Sequence, residues 1–170
     1  MTSVTERSGP AGGSWMFLGV RFDVLTAAGA PVVVAEFVLP EGASPPLHVH
    51  EGLDDSFYVL DGTMVIRCGP DVWLAGPGSW VQFPAGVPHT FRVLGGPLRA
   101  LMVHSDDSFL AAVRAVGRPA VDGDQPDAAP ELSLDELDRA LSAHGVTTVG
   151  APMERDEAEA WLTRLAPAPS

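Results

Sequence analysis

The residues best suited to chemistry in this chain are His48, His50 and His89, with Asp55 beside them in the sequence. His48 and His50 are one residue apart, and alternate side chains of a strand share a face, so both project the same way while Val49 points away. Asp55 begins a later apolar segment and shares its face with Phe57 and Val59; His89 begins another, on the side of Phe91 and Val93. A closed sheet brings such strand ends together. Neutral imidazoles with a carboxylate suit a borderline divalent ion such as iron, nickel, copper, zinc or manganese. An isolated H-x-H pair reads equally well as two surface histidines. Here it has a following carboxylate, flanking glycines and a third histidine after a P-x-G turn, and these favour one divalent transition metal per chain. His48, His50 and His89 are the expected ligands and Asp55 the candidate fourth. Three or four ligands leave positions free for water, substrate or oxygen, as catalytic sites require.

The elements that must position these residues are short strands. Apolar segments recur at Trp15–Val20, Arg21–Ala27, Val32–Leu39, Ser56–Leu60, Met64–Cys68, Val72–Ala75, Trp80–Phe83, Thr90–Leu94 and Leu98–His104. Turn signals such as Asp61-Gly62 and Gly95-Gly96-Pro97 separate them. With no helical period among them, they predict an all-β sandwich or barrel over residues 14–109. Residues 1–13 are polar and glycine-rich and read as a flexible leader. The period changes in residues 110–170, which read as a helical extension packed on the barrel or on a dimer partner. A helix is expected over Ser108–Val116, capped by Ser105 or Asp106. Another starts at Ser133 with Glu136 completing a capping box, and a last one covers Glu154–Leu165.

The segment from Gly42 to Val93 has a more specific pattern. Its first half spaces Gly42, His48, His50, Asp55 and Gly62 as G-(X)5-H-X-H-(X)4-D-(X)6-G. Its second half runs from Gly78 through Pro84, Gly86 and His89 to Val93 as G-(X)5-P-X-G-(X)2-H-(X)3-V, after an interval from Thr63 to Pro77. The two halves resemble the paired motifs of the cupin superfamily. The wider run, Trp15 to Gly19, Pro45 to His48 and Phe57 to Leu60, is similar to bacterial monocupins of the quercetin 2,3-dioxygenase-like kind. That resemblance implies a cupin jelly-roll β-barrel with short C-terminal helices, a homodimer, and a metal on the residues matching the motif, with iron or nickel favoured. It also implies a dioxygenase acting on an aromatic, flavonol- or polyketide-like small molecule, with Asp55 as a base. Two positions depart from the pattern. Asp55 stands where the motif has glutamate and is one methylene shorter, so its carboxylate reaches a metal directly, through a water, or not at all. Val93 stands where the motif has asparagine. A non-redox cyclase, isomerase or decarboxylase, or a binding module without turnover, would use the same ligand set.

Composition narrows the partners. The formal net charge is −12, with 22 acidic and 10 basic residues, so no basic surface suits nucleic acid or an anionic membrane. Cys68 is the only cysteine, which excludes an intramolecular disulfide and a thiolate cluster. Residues 1–14 contain no stretch resembling a signal peptide, and a cytoplasmic protein is expected. Glu51 and Asp54 are expected to point outward, and His104 to be structural or exposed. Trp73, Trp80, Phe57, Phe91, Met64, Ile66 and Met102 are expected in the core, some of them lining a pocket.

Overall fold

The computed structural model describes residues 9–127 and 133–165. The chain begins with β1 (Ser14–Phe17), β2 (Val20–Val24), β3 (Val33–Leu39), β4 (Pro46–His50) and β5 (Asp55–Cys68). It continues through β6 (Asp71–Ala75), β7 (Trp80–Phe83) and β8 (His89–His104) to α1 (Ser108–Val116) and β9 (Arg118–Pro119). After α2 (Leu134–Leu141) come β10 (Val146–Pro152) and α3 (Arg155–Leu165). Every strand pairing is antiparallel. The order is β10–β4–β8–β3–β2–β1–β9, with β5 also on β8 and carrying β6 and β7 on its other edge. The fold is the expected mostly-β barrel with short helices.

Alternation builds the interior. On β3, Val33, Ala35, Phe37 and Leu39 are buried while the residues between them are half-buried. Phe57, Val59, Met64, Ile66, Phe91, Val93 and Met102 join them in one core cluster. Each large apolar side chain so buried stabilises the barrel by roughly 1.5–3 kcal/mol. Trp80 departs from expectation. In the four-residue strand β7, Val81 and Phe83 take the inward positions, which leaves Trp80 53% exposed on the outer face opposite Tyr58.

The two longest strands were expected in pieces. Asp61-Gly62 and Gly95-Gly96-Pro97 bend the chain instead of reversing it, so β5 and β8 each run through. The ladder between them shifts register on both sides of Asp61. Gly62, at φ 85°, lies against the facing strand so closely that a β-carbon would stand 2.5 Å from the Pro97 carbonyl oxygen. The first reversal also differs. It is a tight turn at Leu18-Gly19, both at positive φ, which falls inside the predicted Trp15–Val20 segment.

The leader and the extension are more integrated than their composition suggests. Gly12 and Gly13 exchange backbone hydrogen bonds with Val24, so the end of the leader is tied to β2; residues 1–8 lie outside the described residues. The extension is not only helical, because β10 adds a strand to the sheet on the free edge of β4. The helices form where expected. Asp106 rather than a side chain at the N-cap holds the start of α1, its Oδ1 accepting from Ser108 N at 2.9 Å. The Ser133–Glu136 capping box of α2 is formed, a device of about 1 kcal/mol. Among the described residues no helix is long and apolar enough to cross a membrane.

Candidate metal centre

β4 is clamped on both edges, and this fixes where its histidines point. On one side His48 pairs with Thr148 and His50 with Val146 of β10; on the other His48 pairs with His89 at the start of β8. The three imidazoles meet at the barrel interior, with ring centroids 4.4 to 5.5 Å apart. One nitrogen from each lies within 4.8 Å of the other two, a span one divalent ion can bridge with small adjustments.

The hydrogen bonds set the tautomers. His48 Nδ1–H donates to the Pro46 carbonyl at 2.8 Å and His89 Nδ1–H to the Val87 carbonyl at 2.9 Å. Each Nε2 is thereby left with its lone pair, the arrangement that orients a histidine ligand. His89 Nε2 is buried and has no hydrogen-bond partner among the described residues. A buried imidazole nitrogen without a partner costs free energy, and a bound cation would satisfy it. The donor set therefore fits a transition ion. Phe83 stacks on His89 at 4.2 Å with the rings 8° from parallel, which locks the ring.

Asp55 lies beside the histidines with its two oxygens in different situations. Oδ2 is 4.0 Å from His50 Nε2 and 3.9 Å from His89 Nε2. Oδ1 accepts a hydrogen bond of 2.8 Å from His104 Nε2. Of the two expectations for His104, structural or exposed, the first holds; it is 2% exposed and edge-on to Phe109. Phe57 pairs with Met102 in the β5–β8 ladder, and two residues beyond that pair the Asp55 and His104 side chains meet. The neighbouring acids point away as expected. Asp54 accepts from Ala85 N and Gln82, and Glu51 from Thr147, both at the surface.

The electrostatics prepare the imidazoles for a metal. Burial, with the neighbouring imidazoles adding to it, pushes His48 down to about 3. Burial likewise pushes His50 down to about 4 against the opposing pull of Asp55, and it lowers His89. All three are neutral near pH 7. Burial pushes Asp55 up, but the His104 hydrogen bond and the surrounding imidazoles outweigh it, holding the carboxyl at about 2 and ionised.

These shifts predict an acid-sensitive metal-free protein. The unfolded chain takes up protons on His48 and His50 around 6.5, whereas the folded chain resists until about 3 to 4. Stability is therefore full above 6.5 and lost as pH falls through that window, by up to about 1.4 kcal/mol per pH unit for each such histidine. The Asp55 contribution follows lower, between 3.8 and about 2. Thermal melting of chelator-treated protein at pH 7, 5.5 and 4.5 should show a steep fall that His48→Gln makes shallower. A flat profile would contradict the burial account.

An open cavity of about 970 Å³ leads to this cluster. His48, His50 and Asp55 are part of its lining, with Phe57, Phe91 and Met102 from the barrel. Met64, expected in the core, is fully buried there and does not line the cavity. The extension supplies another wall through Leu134, Leu137 and Leu141 of α2.

Residues 35–104 match the family model of the cupin domain (Cupin_2). The chain belongs to the cupin superfamily. This cupin is similar to the quercetin 2,3-dioxygenase of Bacillus subtilis (strain 168), 26% identical over 96 residues. The match covers 56% of this chain but only 28% of that enzyme. The polyketide cyclase RemF from Streptomyces resistomycificus shares the fold, with a TM-score of 0.51 and 24% identity over 72% of this cupin and 90% of RemF. TT1209 from Thermus thermophilus is 30% identical, with a TM-score of 0.45, over 50% of this cupin and 81% of that chain.

Proposed function

We propose that this cupin is a metal-dependent oxygenase acting on an aromatic, flavonol- or polyketide-like small molecule. The observation that carries the reading is the aromatic-walled cavity that ends on His48, His50 and Asp55. His48, His50 and His89 would hold the ion, with iron or nickel favoured over zinc, manganese and copper. When bound, such an ion supplies Lewis acidity toward a chelating hydroxyl–ketone pair and keeps positions free for small molecules. Asp55 Oδ2, ionised and facing the same space, is placed to accept the hydroxyl proton. His104 fixes the carboxylate by its bond to Oδ1, so the base does not have to be ordered during reaction. Phe57 and Phe91 keep water from the resulting enolate, which leaves it open to dioxygen. The likeness to a quercetin 2,3-dioxygenase supports the oxidative step. A homodimer belongs to the same reading, supported by the uncovered outer face that carries Tyr58 and Trp80, and a cytoplasmic location is proposed with it.

One observation favours a second reading. Asp55 Oδ2 faces the same space, and a carboxylate base beside a Lewis-acidic ion would serve a cyclisation or isomerisation without oxygen. A screen of flavonols, catechols and aromatic polyketides with iron-, nickel- and zinc-loaded protein separates the two. The oxygenase reading expects turnover with stoichiometric oxygen uptake for iron or nickel and none for zinc. Product formed equally well under argon, or fastest with zinc, would replace it with the second reading.

A further inference from the structure

The cavity that reaches the histidines also reaches two arginines. Arg92 lies on β8 and Arg155 opens α3, and both line the cavity with His48 and Asp55. Their guanidiniums converge over Gly42. Arg92 Nη2 and Arg155 Nη2 lie 3.7 and 3.9 Å from the point where a β-carbon on Gly42 would stand, and beyond the adjoining residues no other atom of the described residues comes within 4 Å of that point. Gly42 thus leaves an open space between two cations.

Those cations are incompletely neutralised. Arg92 Nη1 donates to the Met153 carbonyl at 2.7 Å, but its Nε is buried without an acceptor. Among the described residues no ion pair includes Arg92, whereas Arg21, Arg67, Arg99 and Arg118 each face a carboxylate. Arg155 is 3.5 Å from Glu159, in a half-exposed pair that solvent screens, and Glu41 also lines the cavity. In a chain of net charge −12, two guanidiniums turned to one gap in a cavity suit an anion, because their planar forks match a carboxylate.

We infer that the space over Gly42 is an anion subsite of this cavity, and that the ligand is an apolar ring-based molecule that carries a carboxylate. The subsite stands on the arginines alone; its use for a substrate rests on the function proposed above.

The test is a pair of fluorescent probes with matched apolar bodies, anilinonaphthalene sulfonate and the uncharged phenylnaphthylamine, titrated into chelator-treated protein. The sulfonate stands in for the carboxylate. Arg155→Gln and Arg92→Gln should each weaken the sulfonate probe about tenfold and leave the neutral probe within about twofold, and Arg92→Lys should keep part of the preference. Arg92→Gln also removes the bond to Met153, so the exposed Arg155 variant decides if Arg92→Gln fails to fold. Equal losses for both probes, an unchanged sulfonate affinity in Arg155→Gln, or no binding of either probe by wild type would overturn the subsite. Because the metal is absent throughout, these outcomes are independent of whether the oxygenase reading holds.

Discussion

His89→Ala abolishes stoichiometric metal uptake, and His89→Gln weakens it by more than about 100-fold, beyond what loss of a supporting hydrogen bond costs. The expectation follows from the geometry of one ring. Its Nδ1 is committed to the Val87 carbonyl, its face is stacked on Phe83, and its Nε2 is buried with nothing to bond. Alanine also opens a void against Phe83, so loss of metal in that variant alone could reflect a damaged core. Glutamine keeps most of the volume and separates the two effects. Competition with a chromophoric chelator gives the affinities, and circular dichroism shows whether the barrel is intact. An intact His89→Gln that binds metal as tightly as wild type would remove His89 from the ligand set.

Asp55→Asn gives the opposite signature. It keeps metal to within about tenfold but lowers turnover on a responding substrate by about 10²- to 10⁴-fold, the scale of losing a general base. One carboxylate oxygen is occupied by His104 at 2.8 Å and the other is 3.9 to 4.0 Å from two imidazole nitrogens, beside the histidine cluster rather than within it. Asparagine keeps an oxygen for His104 to bond while removing the basic charge. Asp55→Glu, one methylene longer, should retain the metal. If Asp55→Asn loses metal as completely as His89→Ala, Asp55 is a ligand and not the base.

The histidine cluster was legible because it depends on local rules. His48 and His50 share a face by strand parity, and the P-x-G turn before His89 is a signal within a few residues. The role of His104 was not legible. It depends on pairing across β5 and β8 over a separation of 49 residues, and no local pattern encodes that register. The continuity of β5 and β8 was hidden for a related reason, since Gly62, Gly95 and Gly96 serve a bend as readily as a turn. Strand β10 was missed although Val146, Thr147, Thr148 and Val149 are all β-branched, because the segment lies between two helices and its partner, β4, is far away in sequence. Its consequence is functional: without β10, the strand carrying His48 and His50 would be an open edge. The walls of the cavity were partly legible for the same reason, with Phe57 and Phe91 given by parity and the α2 leucines only by tertiary packing.

The central claim is that one transition ion sits among His48, His50 and His89. Anomalous diffraction from crystals grown with iron, nickel or zinc, collected at the edge of each metal, tests it directly. The account predicts one strong peak per chain, about 2.1 Å from the Nε2 atoms of all three histidines. No peak at that position, or peaks only at surface carboxylates, would contradict it.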